Sequence, residues 1–248
     1  GIFKISHQLF SYDPPNFKRN LEIVDILNPS SNISRSRANP TLDGAKVQIK
    51  NIGSEDIRRI KFYYGLESGN RSIYHWKGDL KFLETLIVKL PLNDWTGLSN
   101  NQSFFVDAVT INGRKDEYEI DNKIISNVKI PPVLPGSFII KLKTNNFGRA
   151  KQNLFNIHDY NDKIYYSESQ FLDNTDYDVL IKLEHGLYQF VFNDLNEDGI
   201  DKLWWREKDS VGIAGTLGFY DLDQNLLKSF PSDFGQEIQL DFIVGPIP

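Results

Sequence analysis

The segment Asn193-Asp194-Leu195-Asn196-Glu197-Asp198-Gly199-Ile200-Asp201 carries oxygen-bearing side chains at alternate positions around a glycine. A calcium loop offers carboxylate and amide oxygens at its first, third and fifth positions, a glycine turn at the sixth and a backbone carbonyl at the seventh. Asp194, Asn196 and Asp198 fall at the first three of these, Gly199 at the sixth, and the Ile200 carbonyl at the seventh. The twelfth position is Trp205 rather than Glu, and the loop follows a strand pattern instead of a helix, so Asp201 or Glu207 would have to supply the missing carboxylate. The same residues also make an Asx-rich turn between strands, because Asn, Asp and Gly adopt turn conformations for backbone reasons alone. Both readings stand, and the crowding of Asp194, Glu197, Asp198 and Asp201, which repel one another without a cation, speaks for calcium.

Trp204-Trp205-Arg206 follows directly. Aromatic rings beside a rigid loop can stack on a sugar ring or a peptide, with the guanidinium as an added handle. Neighbouring residues on a strand point to opposite faces, so one of the two tryptophans belongs to a core and at most one contacts a ligand. Trp76 in His75-Trp76 likewise reads as core. Catalytic readings find less to work with. His7, His75, His158 and His185 are scattered singly, without the spacing of a histidine metal site. No serine sits in a Gly-x-Ser-x-Gly elbow, and Gly212 to Gly218 punctuates a strand rather than opening a helix onto a phosphate. A carboxylate pair for glycoside hydrolysis is defined by separation in space, so Asp194 and Asp233 mark where one would be sought. The expectation is that the chain contains no catalytic residues.

The elements that must position these residues are strands. Apolar residues alternate at period two in Ala45-Val47-Ile49, Ile60-Phe62-Tyr64, Phe105 to Val109, Ile139 to Leu142, Tyr188 to Phe192 and Ile238 to Phe242. Only Asp56 to Tyr64 and Gly78 to Leu90 are ambiguous between helix and strand. Pro131-Pro132-Val-Leu-Pro135-Gly136 is the strongest punctuation, since consecutive prolines cannot continue a central strand. The expected fold is therefore all-β, two β-sandwiches in tandem. Residues 1–20 read as an N-terminal tail or linker, 21–131 as an immunoglobulin-like sandwich, and 137–246 as a jelly-roll-like sandwich.

Composition narrows the rest. The 248 residues suffice for two cores. Apolar runs of a few residues fall far short of the roughly 20 needed to span a bilayer, so no membrane insertion is expected. The absence of cysteine excludes disulfides, thiolate zinc sites and cysteine nucleophiles. A net charge of −5 argues against nucleic acid as a partner, and Arg58-Arg59 with Lys61 reads as a solvated strand face. With Gly1-Ile2-Phe3 at its start and no methionine, the sequence reads as a processed or excised fragment.

Further motifs carry a resemblance. The upstream half shows Val24-Asp25-Ile26-Leu27-Asn28-Pro29, Lys46 to Gly53 ending in an Asn51-Ile-Gly53 turn, Trp76-Lys-Gly78-Asp-Leu80 and Asp116 to Asn122. In these it resembles a CARDB-type adhesion module. The downstream half shows Lys143 to Asn146, Gly186-Leu-Tyr188-Gln-Phe190, Asn193-Asp194 with Asp198-Gly199, and Asp233-Phe234-Gly235. Together, over about residues 21–245, these resemble the C-terminal accessory region of bacterial peptide-N-glycosidase F-related and other cell-surface proteins. The resemblance implies a sandwich fold, a non-catalytic role, and export to the cell surface or the medium. The function expected is that of an accessory module with a structural calcium loop, contacting glycan or protein at the cell surface. The alternatives are a structural subunit of a cell-surface assembly or secretion complex, joined by strand addition, and a glycan-directed, peptide-N-glycosidase-like hydrolase whose catalytic domain lies outside this chain.

Overall fold

A computed structural model describes residues 14–39, 44–91, 99–202 and 212–246. Among the described residues sixteen strands carry the fold: β1 (Leu21–Asn28), β2 (Lys46–Asn51), β3 (Ile57–Leu66), β4 (Ser72–Leu80), β5 (Thr85–Lys89), β6 (Ser103–Ile111), β7 (Lys123–Asn127), β8 (Val133–Leu134), β9 (Ser137–Lys143), β10 (Asn153–Asp159), β11 (Ile164–Ser169), β12 (Asp176–Lys182), β13 (Gly186–Asp194), β14 (Thr216–Tyr220), β15 (Leu226–Phe230) and β16 (Glu237–Val244). Helical structure among the described residues is confined to 3-10 turns. The chain is all-β, and both ambiguous stretches are extended: Asp56 to Tyr64 leads into β3, and Gly78 to Leu90 holds the end of β4, a turn and β5.

The chain divides into two compact units. The first comprises Gly1–Leu27, Asp43–Asn93 and Gln102–Asn127, and the second Asn28–Leu42, Asp94–Asn101 and Val128–Pro248. The division falls a few residues before the prolines, and the second unit also recruits two upstream excursions that no composition shift announces. One of them contains the 3-10 turn Ile33–Ala38, which lies against β13 and β16.

In the first unit β1-β2-β5 form one sheet and β4-β3-β6-β7 another. Period-two patterning places Val47 and Ile49 of β2, and Ile60, Phe62 and Tyr64 of β3, in its interior. On β6 the inward set is Phe104, Val106 and Ala108, while Phe105 is buried beneath the Arg71 and Lys123 side chains that lie over its ring. The residues just before β1 are not a free tail. Phe17 and Lys18 accept backbone hydrogen bonds from Ser54 and Glu55, and Asn20 accepts from Ile52 and Gly53. That approach is close enough that a Cβ at Gly53 would stand 2.5 Å from the Lys18 carbonyl oxygen and the Asn20 nitrogen. Asn51, fully buried, ties the turn together: its Oδ1 accepts from Gly53 N–H, and its Nδ2 donates to the Glu55 and Leu80 carbonyls, joining the end of β2 to the end of β4.

The second unit is sandwich-like. Its sheets run β11-β10-β13-β16-β8 and β12-β9-β14-β15, and they share one core. Every pairing is antiparallel except that of β8 with β16. Phe190 of β13 meets Phe219 of β14 at 4.9 Å between ring centroids, and Phe138 of β9 meets Phe242 of β16 at 5.9 Å. Rings of this size bury large apolar areas per residue.

Candidate functional site

The acidic loop begins where the core of the second unit ends. Along β13 the inward positions are Tyr188, Phe190, Phe192 and then Asp194, whose side chain is 1% exposed. The register pairs Phe155 with Phe192 and Asn153 with Asp194, so the last inward row replaces two aromatic rings by a carboxylate and an amide. Directly paired residues of an antiparallel ladder have their Cβ atoms roughly 5 Å apart on the same face. Asn153 is equally buried, and its Oδ1 has no hydrogen-bond partner among the described residues.

Asp194 organises the loop that follows. Its Oδ1 accepts from Asn196 N–H and its Oδ2 from Asp198 N–H, both at 3.0 Å. Glu197 and Gly199 take left-handed backbone angles, φ +62° and +67°, and a Cβ at Gly199 would lie 2.6 Å from the Ser232 carbonyl oxygen. Ile200 and Asp201 then donate their N–H groups to that same carbonyl.

Two residues preceding β10 complete the cluster. Gln152 donates through Nε2 to Asp198 Oδ1 at 2.5 Å and accepts at Oε1 from Asn196 Nδ2 at 2.7 Å. Arg149 places Nε 3.5 Å from Asp198 Oδ2, with its guanidinium carbon 4.9 Å from the centre of the Phe147 ring. Burial pushes the Asp194 carboxyl above the usual carboxylate range. The neighbouring Asp198 pushes it the same way, against the two backbone N–H groups that favour the charge.

The structure thus brings together Asp194, Asn196 and Asp198 of the residues expected from sequence. It does not bring in the other two directly. The Ile200 carbonyl accepts from Gly215 N–H at 2.7 Å, and Asp201 Oδ1 accepts from the adjacent Lys202 N–H. Trp204, Trp205, Arg206 and Glu207 lie outside the described residues. Arg149, Gln152 and Asn153 were not expected. They lie more than 40 positions upstream, and only the β10–β13 pairing carries them to the loop.

Carboxylate and amide oxygens are hard donors, the set that suits calcium, and no thiolate is present. Among the described residues no three His, Asp or Glu side chains converge as a metal group, so a cation here would need amide oxygens beside the two carboxylates. Asn153 Oδ1 next to a buried carboxylate is such an oxygen, and a cation would satisfy it. These oxygens are of the kind calcium takes, but those of Asp194 and Asp198 are already engaged by backbone N–H groups, Gln152 and Arg149.

His158 and His185 make ordinary polar contacts: His158 lies between Asn156 Oδ1 and Gln189 Oε1, and His185 reaches the Pro246 carbonyl. No helix among the described residues is long and apolar enough to cross a membrane. No known protein family, curated protein or solved structure matches the chain.

Proposed function

We propose that the chain is a non-catalytic accessory module of a secreted or cell-surface bacterial protein, related to the accessory regions of peptide-N-glycosidase F-related proteins. In this reading an immunoglobulin-like, CARDB-type unit carries a jelly-roll-like unit. The second unit holds calcium on Asp194, Asn196 and Asp198, with Asn153 or Gln152 supplying amide oxygen, and offers one of Trp204 and Trp205, with Arg206, to glycan or protein.

One observation carries the reading: a carboxylate and an amide oxygen close the aromatic core of the second unit in its last inward row, Asp194 opposite Asn153. Asp194 is hydrogen-bonded by two backbone N–H groups, and the buried oxygen that a cation would newly satisfy is Asn153 Oδ1. A cation there would rigidify the loop that leads to the tryptophans and couple their presentation to calcium.

The test is thermal unfolding of the whole chain in calcium and in chelator at matched ionic strength. A rise in the midpoint of the second unit with calcium, abolished in Asp198→Ala, is expected. Superimposable curves would mean that Asp194 is only the cap of an Asx turn, and the calcium part of the reading would fall.

A second reading, a subunit joined to a partner by strand addition, draws on β11. This edge strand exposes Ile164 and Tyr165, with no strand on its outer side among the described residues. It predicts dimers or larger species in sedimentation that Tyr165→Lys reduces.

A further inference from the structure

The outer face of β3 and β4 sets basic side chains directly opposite one another. Arg59 and Lys61 alternate with the buried Ile60 and Phe62, and His75 and Lys77 flank the buried Trp76. The register pairs Arg59 with Lys77 and Lys61 with His75. Together with Thr110 of β6 these four line a cleft of about 450 Å³.

Like charges directly opposite on a sheet repel, and here Arg59 faces Lys77 with Lys61 one row along, in a chain with 33 acidic residues and 28 lysines and arginines. Acids are near but engaged elsewhere. Asp79 pairs with Arg58 and Lys81, and Asp107, one row along, faces Lys123 and Arg71. Among the described residues none of Arg59, Lys61, His75 and Lys77 has an ion-pair partner.

From this we infer that the face binds a sulfated polysaccharide. The four basic groups form a grid about 5 Å across the strands and about 7 Å along them. A chain bearing several charges per repeat can meet them at several points at once. Single-stranded nucleic acid suits the face less well, because it needs free aromatic faces for its bases. Here Lys61 and Arg71 lie over the Tyr63 ring at 4.9 and 5.2 Å, and Arg71 and Lys123 lie over Phe105. The site lies in the first unit and is independent of the calcium loop of the second.

The experiment titrates the full chain with heparin in chelator, so that its outcome does not depend on calcium, over a series of salt concentrations. Neutral dextran and duplex DNA serve as competing probes. The double variant Arg59→Ser, Lys77→Ser changes exposed side chains, and its unfolding midpoint confirms that it folds. It should lose at least tenfold in heparin affinity. The same charge change at Lys163 and Lys228 in the second unit should alter affinity less than twofold. Affinity should fall linearly on a log–log plot against salt, as counterion release requires. Equal losses in the two double variants, no heparin binding at low salt, or duplex DNA binding as tightly as heparin would each overturn the inference.

Discussion

Arg149 offers the sharpest way to ask whether a cation belongs beside Asp194 and Asp198. Its side chain is 9% exposed and that of Asp198 21%, with 3.5 Å between Nε and Oδ2. Breaking a fully buried ion pair costs about 3–5 kcal/mol because a charge is left uncompensated. The partial exposure of Asp198 and the length of the contact reduce this, and about 2 kcal/mol is expected for Arg149→Met in chelator. Methionine keeps a side chain over Phe147 while removing the charge. At about 3 °C per kcal/mol for a unit of this size, the midpoint of the second unit should drop by about 6 °C. Calcium at a hundredfold excess over its Kd adds about 2.7 kcal/mol to the native protein. If the ion takes over the neutralisation of Asp198, the loss caused by Arg149→Met should shrink by half or more in calcium, so that calcium stabilises the variant more than the wild type. Differential scanning calorimetry of both proteins in calcium and in chelator reads this difference directly, and any packing lost with the arginine cancels from it. The same 6 °C drop under both conditions would refute the reasoning.

Other substitutions test the frame around the site. Gly199→Ala forces a Cβ both into a left-handed conformation and to 2.6 Å from the Ser232 carbonyl; a loss of about 2–4 kcal/mol is expected in urea unfolding in chelator. Phe190→Ala empties a position ringed by Phe155, Phe219 and Phe230 and should cost about 3–5 kcal/mol in the same assay. Asp121, beside Asp116 and Glu22, has its carboxyl pushed up to about 6, first by burial and then by those charges. The folded state therefore holds its proton more tightly than the unfolded chain. The resulting stabilisation is complete below about pH 3.8 and lost as pH rises through about 6. Melting of the first unit across that window should fall with pH in the wild type and flatten in Asp121→Asn, and parallel profiles would contradict it. Lys77→Glu, which turns a like-charged row with Arg59 into an opposite-charged one, should raise the midpoint of the first unit at low salt by the equivalent of about 0.2–1 kcal/mol and gain nothing at high salt.

The strands were legible because burial on one face leaves a period-two trace: Val47 and Ile49, Ile60 to Tyr64 and Tyr188 to Phe192 could be assigned to a buried face from alternation alone. Helical ambiguity arose where turns interrupted that trace, as between β4 and β5. The packing of Ile33–Ala38 against β13 and β16 left no signal, because it depends on contacts between residues far apart in sequence rather than on composition. The loop was legible through its Asx-Gly spacing, which reflects local backbone demands. Its surroundings were not. Arg149, Gln152 and Asn153 owe their place to a strand register, and Asp194 looked like one acid among several until its row showed it to be the end of a core. The basic face had the same history. Arg58-Arg59 with Lys61 reads as a solvated strand from sequence, and only the pairing of Arg59 with Lys77 reveals repulsion across the ladder.

The parallel pairing of β8 with β16 bears on biosynthesis. In the five-stranded sheet β16 lies between β13 and β8, yet of the strands among the described residues it is the last to leave the ribosome. Until it arrives β13 has one open edge and the two residues of β8 have no ladder to join, so the second unit cannot close its sheet during most of its own translation. A nascent chain stalled before Glu237 should expose the edge of β13 to proteases and chaperones, and release of the last strand should be the step that shuts it.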